Sequence, residues 1–325
     1  MTDRQSAHPA VAAELQSALA ALAGDMATAS LTADLIPRMR LSVDAERRSF
    51  EDLRLLGPVV LEEIETPGPP NGPSVSILLC RPEQRVGLAP CVIYFHPGGM
   101  VCGDNRTDIA SYFDWVSDLG VVIASIEYRL APEHPDPAPI DDSYAGLLWL
   151  VEHGAELGID SARIVLLGVS AGGCLAAGVS LRARDTGGPT VAGQLLIGPM
   201  LDDRCETVSS QELVGEGTWD SISNMTGWTA LLGERRGTAT VSSFSAPSRA
   251  ATLGGLPPTY IDVGSVETFR DEVLEFATRI WQDGGDAELH VWEGGFHGFD
   301  EVAPHAAISQ SARAARRDWL SRLLR

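Results

Sequence analysis

Lysine is missing from this sequence: all 24 basic residues among its 325 positions are arginine. The absence excludes a lysine that forms a Schiff base, a lysine that binds phosphate in a P-loop, and a nucleophile of the Ser-x-x-Lys type. A serine nucleophile in this chain therefore needs a different general base, and histidine is the usual one.

Positive charge is scarce overall, because 44 acidic residues oppose the 24 arginines and leave a formal net charge of −20. Such a surface repels phosphate backbones and anionic membranes, so no nucleic-acid or membrane partner is expected. No apolar run reaches about 18 residues, the length that a membrane-spanning helix needs. The run from Ala10 to Ala23 is interrupted by Glu14, Gln16 and Ser17, which predicts an amphipathic surface helix and not a signal peptide.

Cysteine is infrequent, and its spacing indicates no pairing. The five cysteines are scattered, none lies in a C-x-x-C pair, and their odd number in a long chain does not imply a disulfide framework. This predicts a reducing, cytoplasmic compartment and buried thiols that pack as small apolar side chains. The five residues are Cys80, Cys91, Cys102, Cys174 and Cys205.

The order of apolar segments predicts a single α/β domain over residues 1–325, with a mostly parallel central sheet and helices on both faces. Two helices are expected before the sheet begins, over Ala10–Leu22 and Asp44–Leu56. The predicted strands are Val59–Glu65, Ser74–Arg81, Pro90–Phe95, Val121–Tyr128, Arg163–Val169, Val191–Ile197, Pro258–Val263 and Ala287–Trp292. The later predicted helices are Asp108–Leu119, Asp141–His153, Ala171–Arg184, Phe269–Gln282 and Pro304–Leu324.

The stretch 203–248 interrupts this alternation, because it is polar and rich in glycine and serine. We expect it to form a helical cap, together with residues 1–56, over the carboxyl ends of the strands, where ligands bind in open α/β sheets. The core is then expected over 58–202 and 249–325. Two cap tryptophans are expected to line the substrate pocket or to pack in the core, namely Trp219 and Trp228.

A G-x-S-x-G motif lies between a predicted strand and a predicted helix, with Ser170 at its centre. In that context the motif predicts a nucleophile elbow, a strained turn that exposes the serine hydroxyl. The flanking Gly168 and Gly172 are needed because a side chain there would clash in the turn. The helix that starts at Ala171 also directs backbone N–H groups toward the reaction centre.

A glycine-rich loop follows the predicted strand Pro90–Phe95, two strands before the serine. It reads His96-Pro97-Gly98-Gly99. In enzymes with the elbow, N–H groups of a loop at this place complete the oxyanion hole, and glycine lets the backbone approach the developing charge. The loop and the elbow stand in the chain order that this arrangement requires.

Three histidines follow Ser170, and one of them has the position of a general base. His290 lies within a predicted strand and is expected to pack, whereas His305 begins the last predicted helix and is expected to be solvated or to cap it. His297 lies in a glycine-rich loop between the last strand and the last helix. That loop is at the carboxyl end of the sheet, where the elbow also lies.

The acid that orients the histidine is expected after the penultimate strand. Asp262, Glu267 and Asp271 are the candidates; Asp262 falls within the strand and Asp271 within the following helix. Glu267 lies in the predicted loop Gly264–Thr268 between them, which suits a carboxylate that reaches His297. Glutamate serves as well as aspartate here, because the acid fixes the imidazole tautomer and stabilises imidazolium.

Five motifs in this order resemble the bacterial hormone-sensitive-lipase-like esterases of the α/β-hydrolase superfamily, from about residue 58 to the C-terminus. The resemblance implies the α/β-hydrolase fold and a serine carboxylesterase for short- to medium-chain esters. It also indicates a homodimer, since related esterases are often dimers. The motifs are HPGG at 96–99, YRLAPEHP at 128–135, GVSAGG at 168–173, ETFRDE at 267–272 and FHGF at 296–299.

The resemblance also implies roles for individual residues. It implies that His96 orients its loop and is not a catalytic base, and that Asp142 and the segment Tyr128–Pro135 brace the site. Oxyanion donors are implied at Gly98, Gly99 and Ala171, and a catalytic triad at Ser170, Glu267 and His297.

Three positions depart from the family pattern. Pro97 stands where the family usually has glycine, and Val169 where it usually has an acidic residue or threonine. Glu267 replaces the commoner aspartate. None of the three removes a catalytic group, but the first two are expected to alter activity or substrate choice.

The predicted reaction is acyl transfer through an acyl-enzyme, with a small-molecule ester as substrate and without a metal or organic cofactor. The same residues would serve a lactonase or an amidase, and the sequence does not separate these from an esterase. A receptor that binds a ligand without turnover is the alternative of another class. Such proteins typically lose the serine or the histidine, and both are present here.

Overall fold

The computed structural model describes residues 8–22, 28, 30–84 and 87–325. Of the predicted N-terminal cap residues, 1–7, 23–27 and 29 lie outside the described residues. The described residues form one eight-stranded sheet. Its strands are β1 (Val59–Thr66), β2 (Val75–Pro82), β3 (Ala89–Phe95), β4 (Val122–Ile126), β5 (Ile159–Val169), β6 (Gly193–Ile197), β7 (Thr259–Val266) and β8 (Ala287–Phe296).

The sheet has the strand order β1-β2-β4-β3-β5-β6-β7-β8. β2 pairs antiparallel with both β1 and β4, and every other neighbouring pair is parallel. The strands at the centre are buried on both faces; all five residues of β4 and of β6 are buried. Burial on both faces is typical of parallel strands covered by crossover helices, and the predicted mostly parallel sheet is confirmed.

Helices cover both faces of the sheet, as predicted. Side chains of β3 alternate between two hydrophobic clusters: Cys91 and Ile93 face the one formed with α5, α6 and α9, whereas Val92 and Tyr94 face the one formed with α4 and α11. The helices are α1 (Ala13–Ala21), α2 (Ile36–Glu46), α3 (Phe50–Arg54), α4 (Phe113–Leu119), α5 (Ala138–Leu157), α6 (Ala171–Thr186), α7 (Ser209–Glu212), α8 (Ser221–Leu232), α9 (Arg270–Gln282), α10 (Phe299–Val302) and α11 (Ala307–Leu323).

The predicted single helix Asp44–Leu56 is wrong. α2 ends at Glu46, and a separate short helix, α3, begins at Phe50. The cause is a capping box: the Ser49 hydroxyl accepts a 3.1 Å bond from the Asp52 amide, and the Asp52 carboxylate accepts a 3.2 Å bond from the Ser49 amide. Such a pair satisfies the free N–H groups of a new helix start.

The last two strands are longer than predicted. β7 continues to Val266 and β8 to Phe296, and these two residues pair. Most of the predicted loop Gly264–Thr268 is therefore strand. The register of the two strands shifts between Gly264 and Val266, and pairing resumes beyond the shift. Two glycines allow the strands to come this close, because a Cβ on Gly264 would lie 2.1 Å from the Gly295 carbonyl oxygen.

The segment 203–248 packs against N-terminal residues. The Leu31 amide donates a 2.8 Å bond to the Ser223 hydroxyl at the start of α8. Leu31 and Trp228 of α8 belong to the same buried cluster. The Arg40 side chain donates a 2.7 Å bond to the carbonyl of Val101, in the loop after β3. The N-terminal helices are thus connected both to α8 and to the glycine-rich loop.

All five cysteines are free and buried, as predicted. Burial disfavours the thiolate and raises the pKa of Cys91 and of Cys102 to about 12. None of the helices in the described ranges is long and apolar enough to cross a bilayer.

Candidate active site

Ser170 lies in a tight turn between β5 and α6. Its backbone has φ 56° and ψ −118°, a strained conformation for a residue with a side chain. Two glycines make room for the turn. A Cβ on Gly172 would lie 1.9 Å from the Phe95 carbonyl oxygen, and a Cβ on Gly168 would lie 2.0 Å from the Gly172 carbonyl oxygen. The turn therefore has the geometry predicted for a nucleophile elbow.

Hydrogen bonds from the neighbouring strand hold this turn. The Ser170 amide donates a 2.8 Å bond to the carbonyl of Ile197, the last residue of β6, and the Ser170 carbonyl accepts a 3.0 Å bond from the Met200 amide. Ser170 itself is 3% exposed. Its position is thus fixed by the segment that follows β6.

The glycine-rich loop after β3 folds back on itself. Gly98 and Gly99 have φ values of 125° and 60°, which are unfavourable for other residues. The Gly98 carbonyl accepts bonds of 2.9 Å and 3.0 Å from the amides of Val101 and Cys102. Ala171 is the first residue of α6, and the first N–H groups of a helix have no partner within it. The Ala171 N–H group therefore has no acceptor within α6.

His96 is part of this loop's support. Its ring stacks on Tyr128, with centroids 4.1 Å apart, and its Nδ1 lies 2.7 Å from the Pro97 carbonyl oxygen. The Tyr128 hydroxyl donates a 2.8 Å bond to the His96 carbonyl. Burial lowers the pKa of His96 to about 4, so the ring is neutral at physiological pH and donates from Nδ1. The ring therefore contacts both the backbone of its own loop and the side chain of Tyr128.

Asp142 supports the segment that begins at Tyr128. Its carboxylate is 1% exposed and accepts bonds of 2.7–3.0 Å from the backbone and guanidinium of Arg129. This bidentate pair ties α5 to the chain that follows β4, as expected for a bracing residue.

Glu267 and His297 are in contact. The Oε1 atom of Glu267 lies 2.5 Å from His297 Nδ1, and its Oε2 atom accepts a 2.7 Å bond from the Gly264 amide. Glu267 directly follows β7 and is 3% exposed, whereas His297 directly follows β8. Because a carboxylate only accepts hydrogen bonds, Nδ1 is the His297 nitrogen that donates in this contact.

The other candidate acids and histidines lie elsewhere. Asp262 is fully buried and pairs with Arg316 at 2.7 Å, and Asp271 accepts a 2.8 Å bond from the Ser209 amide. The His290 ring stacks between Tyr260 and Trp292, and His305 precedes the last helix, which begins only at Ala307. Of the residues considered from the sequence, Glu267 is the acid that contacts His297.

Gly198 connects the serine to the acid and the histidine. It follows Ile197, which holds the Ser170 amide. A Cβ on Gly198 would lie 2.5 Å from Glu267 Oε1 and 3.4 Å from His297 Cε1. The contact of Glu267 with His297 thus lies next to the residue that follows Ile197, the hydrogen-bond partner of the Ser170 amide. Sequence analysis missed Gly198, although a Gly-Pro pair directly after a buried strand marks such a turn.

A buried ion-pair cluster lies behind this pair. The Arg316 guanidinium bridges Asp262 in β7 and Asp300 in α10, and it is 3% exposed. It borders a cavity of about 30 Å³ that also touches Glu267 and His297. The cluster attaches α11 to β7, which precedes Glu267, and to α10, which follows His297. Nothing in the sequence pattern had indicated it.

Comparisons with known proteins agree with this fold. A family model described as the alpha/beta hydrolase fold matches residues 92–301. The esterase LipI of Mycobacterium tuberculosis is 34% identical over 277 residues, which cover 82% of this chain and 85% of LipI. Hormone-sensitive lipase of Homo sapiens is 37% identical over 122 residues, 38% of this chain and 11% of the lipase.

Solved structures give the same picture. A bacterial heroin esterase superimposes with a TM-score of 0.90 and 39% identity, covering 97% of this chain and 98% of the esterase. The esterase LipW from Mycobacterium marinum superimposes with a TM-score of 0.82 and 34% identity, covering 90% of this chain and 91% of that chain.

Proposed function

The chain belongs to the α/β-hydrolase-fold family of serine carboxylic ester hydrolases, and we propose that Ser170, Glu267 and His297 are its catalytic triad. The resemblance to hormone-sensitive-lipase-like esterases and the α/β-hydrolase fold, both predicted from the sequence, are confirmed. The observation that carries the triad is the 2.5 Å contact of Glu267 with His297. This contact lies next to Gly198, and the preceding residue, Ile197, accepts the hydrogen bond of the Ser170 amide.

In the proposed acylation step, Ser170 Oγ attacks the ester carbonyl carbon while His297 Nε2 takes the hydroxyl proton. The Oγ–C bond forms as the carbonyl π electrons move to oxygen. Collapse of this tetrahedral intermediate breaks the bond to the alcohol oxygen, which receives the proton from His297. A water molecule then repeats the sequence on the acyl-enzyme and releases the acid. Glu267 holds the tautomer and stabilises the imidazolium formed in each half.

We propose that the N–H groups of Gly98, Gly99 and Ala171 stabilise the oxyanion. Donors fixed in advance cost no reorganisation during the reaction, and one such donor contributes about 3–4 kcal/mol to transition-state stabilisation. The stacking of His96 on Tyr128 and its bond to Pro97 support a role for His96 in holding the loop.

The substrate is a small-molecule ester, and we propose short- to medium-chain acyl groups. Residues 1–56 and 203–248 are proposed as the cap over this site, with the core in 58–202 and 249–325. The contacts of α8 with Leu31 support this division. A homodimer and a cytoplasmic location remain predictions.

The test is hydrolysis of p-nitrophenyl acetate, butyrate and octanoate by the wild type and by Ser170→Ala. We expect turnover by the wild type and a loss of about a thousandfold or more in kcat for the variant. A p-nitroanilide and a lactone run beside the esters would separate an esterase from an amidase or a lactonase.

Ser180→Ala is the matched control. Ser180 lies on α6, the helix that directly follows Ser170; it is 2% exposed, and its hydroxyl has no hydrogen-bond partner among the described residues. Its removal should leave turnover unchanged. Equal turnover by the wild type and Ser170→Ala, or stoichiometric binding without hydrolysis by a folded wild type, would contradict the proposal.

A further inference from the structure

Two adjacent residues within 203–248, Thr218 and Trp219, are hydrogen-bonded to the segments that carry the acid and the base. The Thr218 hydroxyl donates to the carbonyl oxygen of His297. One residue later, the Trp219 carbonyl accepts a 2.9 Å bond from the hydroxyl of Thr268, the neighbour of the acid. These two bonds hold the backbone of Trp219 beside the segments that carry the acid and the base.

The indole of Trp219 reaches from there to the glycine-rich loop. A Cβ on Gly99 would lie 2.2 Å from Trp219 Cη2 and 2.8 Å from its Cζ2. From the other side, a Cβ on Gly227 of α8 would lie 3.5 Å from Trp219 Cζ2 and 2.8 Å from the Gly99 carbonyl oxygen. The far edge of the ring is therefore held against the proposed oxyanion loop. Gly99 is needed to let the ring come so close, whereas Gly227 is needed for the approach of α8 to the Gly99 carbonyl oxygen.

The polar edge of the same ring has no hydrogen-bond partner in the part of the chain that the structure describes. Trp219 is 8% exposed, and its Nε1 is buried with no hydrogen-bond acceptor among the described residues. Buried donors without acceptors are rare in proteins, because water or a ligand usually satisfies them. A water molecule or a bound ligand would therefore be the partner of this N–H group.

We infer that Trp219 sets the upper limit on the length of the acyl group that the enzyme accepts. This inference rests on the proposed function, in which Ser170 carries the acyl group. The leaving alcohol must face His297 in order to be protonated, so the acyl chain extends away from it. The far edge of the indole lies against Gly99, in the oxyanion loop, and there it closes the path of a long acyl chain.

The experiment compares kcat/KM of the wild type, Trp219→Leu and Trp219→Ala on two series of esters. In one series the acyl group of p-nitrophenyl esters grows from acetate to octanoate; in the other the alcohol of acetate esters grows from methyl to octyl. We expect the octanoate-to-acetate ratio to rise by about tenfold or more in the smaller variants, and the ratio in the alcohol series to stay the same.

Two further variants separate ring volume from other effects. Trp219→Phe removes the N–H group and the far edge of the indole but keeps one ring, so its acyl profile should lie between those of the wild type and Trp219→Ala. Trp115→Leu truncates a buried tryptophan on α4, outside the cap; it should lower stability without changing the acyl profile. Thermal unfolding of each variant shows that the protein measured is folded, and Trp219→Leu serves if Trp219→Ala does not fold.

Three results would overturn the inference: an unchanged acyl ratio in Trp219→Leu, a change confined to the alcohol series, or a Trp219→Phe profile that matches Trp219→Ala. In each of these the wild type remains an active esterase, so the proposed function stands. A folded wild type that hydrolyses none of the esters would refute the proposed function and this inference together.

Discussion

Gly198 lies against the carboxylate of Glu267: a Cβ on its backbone would be 2.5 Å from Glu267 Oε1 and 3.3 Å from His297 Nδ1. The Gly198→Ala variant must therefore displace the acid, the histidine or its own backbone. A displacement of about 1 Å at a reacting group costs about 100-fold in rate. We expect a loss of that size in kcat/KM on p-nitrophenyl acetate.

Gly187→Ala is the control for this substitution. Gly187 also has a positive φ, 65°, but a Cβ there would meet nothing within 4 Å. Alanine should therefore cost about 1–2 kcal/mol of backbone strain, seen in thermal unfolding, with unchanged kcat/KM. Equal losses of activity in the two variants would mean that strain, and not contact with Glu267, is the cause.

Glu267→Gln tests the acid. Glutamine keeps the size of the side chain but loses the charge that stabilises the imidazolium, and it can turn its NH₂ toward His297 and impose the wrong tautomer. We expect kcat to fall by about a thousandfold or more with little change in thermal stability.

Asp271→Asn is the matched control for that change. Asp271 was the alternative candidate in the following helix, and its carboxylate instead bonds to the Ser209 amide and pairs with Arg270. Its loss should loosen the contact of α9 with α7 and leave kcat within about threefold of the wild type. A larger loss in Asp271→Asn than in Glu267→Gln would contradict the assignment of the acid.

The parts of this site that could be predicted are those with a local pattern. The turn at Ser170 is indicated by glycines between an apolar strand and a helix, and the position of His297 is indicated by a glycine-rich loop after the last strand. Both positions follow from the rule that the carboxyl ends of parallel strands meet at one edge. The structure places the two residues as that rule requires.

The parts that could not be predicted depend on contacts between distant segments. The Thr218 hydroxyl donates a hydrogen bond to the carbonyl of His297, which lies 79 positions later in the sequence. No periodicity in the sequence indicates such a pair. The helix break at Ser49 is different in kind. Its capping box is a local pattern, but the apolar spacing across Asp44–Leu56 concealed it, which is why one helix was predicted where two exist.

Arg316→Met tests the buried cluster behind the site. Arg316 is 3% exposed and neutralises Asp262 and Asp300, both nearly fully buried. Removing the cation leaves the buried carboxylate of Asp262 without an ion-pair partner and leaves Asp300 with only the Arg313 guanidinium, 3.8 Å away. Breaking a buried pair typically costs about 3–5 kcal/mol. We expect a loss of that size in the free energy of unfolding, measured by urea denaturation.

Arg317→Met, one residue further along α11, provides the comparison. Arg317 pairs with Asp118, and the two side chains are 41% and 51% exposed. A solvent-exposed pair of this kind contributes about 0–1 kcal/mol. Similar losses in the two variants would show that the helix, and not the buried charges, determines the effect.

Glu127 makes the stability of the fold depend on pH. It directly follows β4, and burial raises the pKa of its carboxyl from 4.5 to about 7, although the Asn105 amide donates a 2.7 Å bond to it. Asp104 and Glu63 nearby raise the pKa further, and Arg47 lowers it. Since the folded state holds this proton more tightly, the stability contributed by protonated Glu127 is complete below pH 4.5 and is lost as the pH rises through 7.

Glu127→Gln removes that dependence, because glutamine does not titrate. Measured by urea denaturation, the variant should gain about 2 kcal/mol relative to the wild type between pH 5 and pH 8. Glu133→Gln is the control: the Arg40 guanidinium lowers the pKa of Glu133 to about 2, so its difference from the wild type changes only in acid and stays flat over the same range. A flat difference for Glu127→Gln as well would mean that Glu127 is already ionised in the folded protein at pH 5.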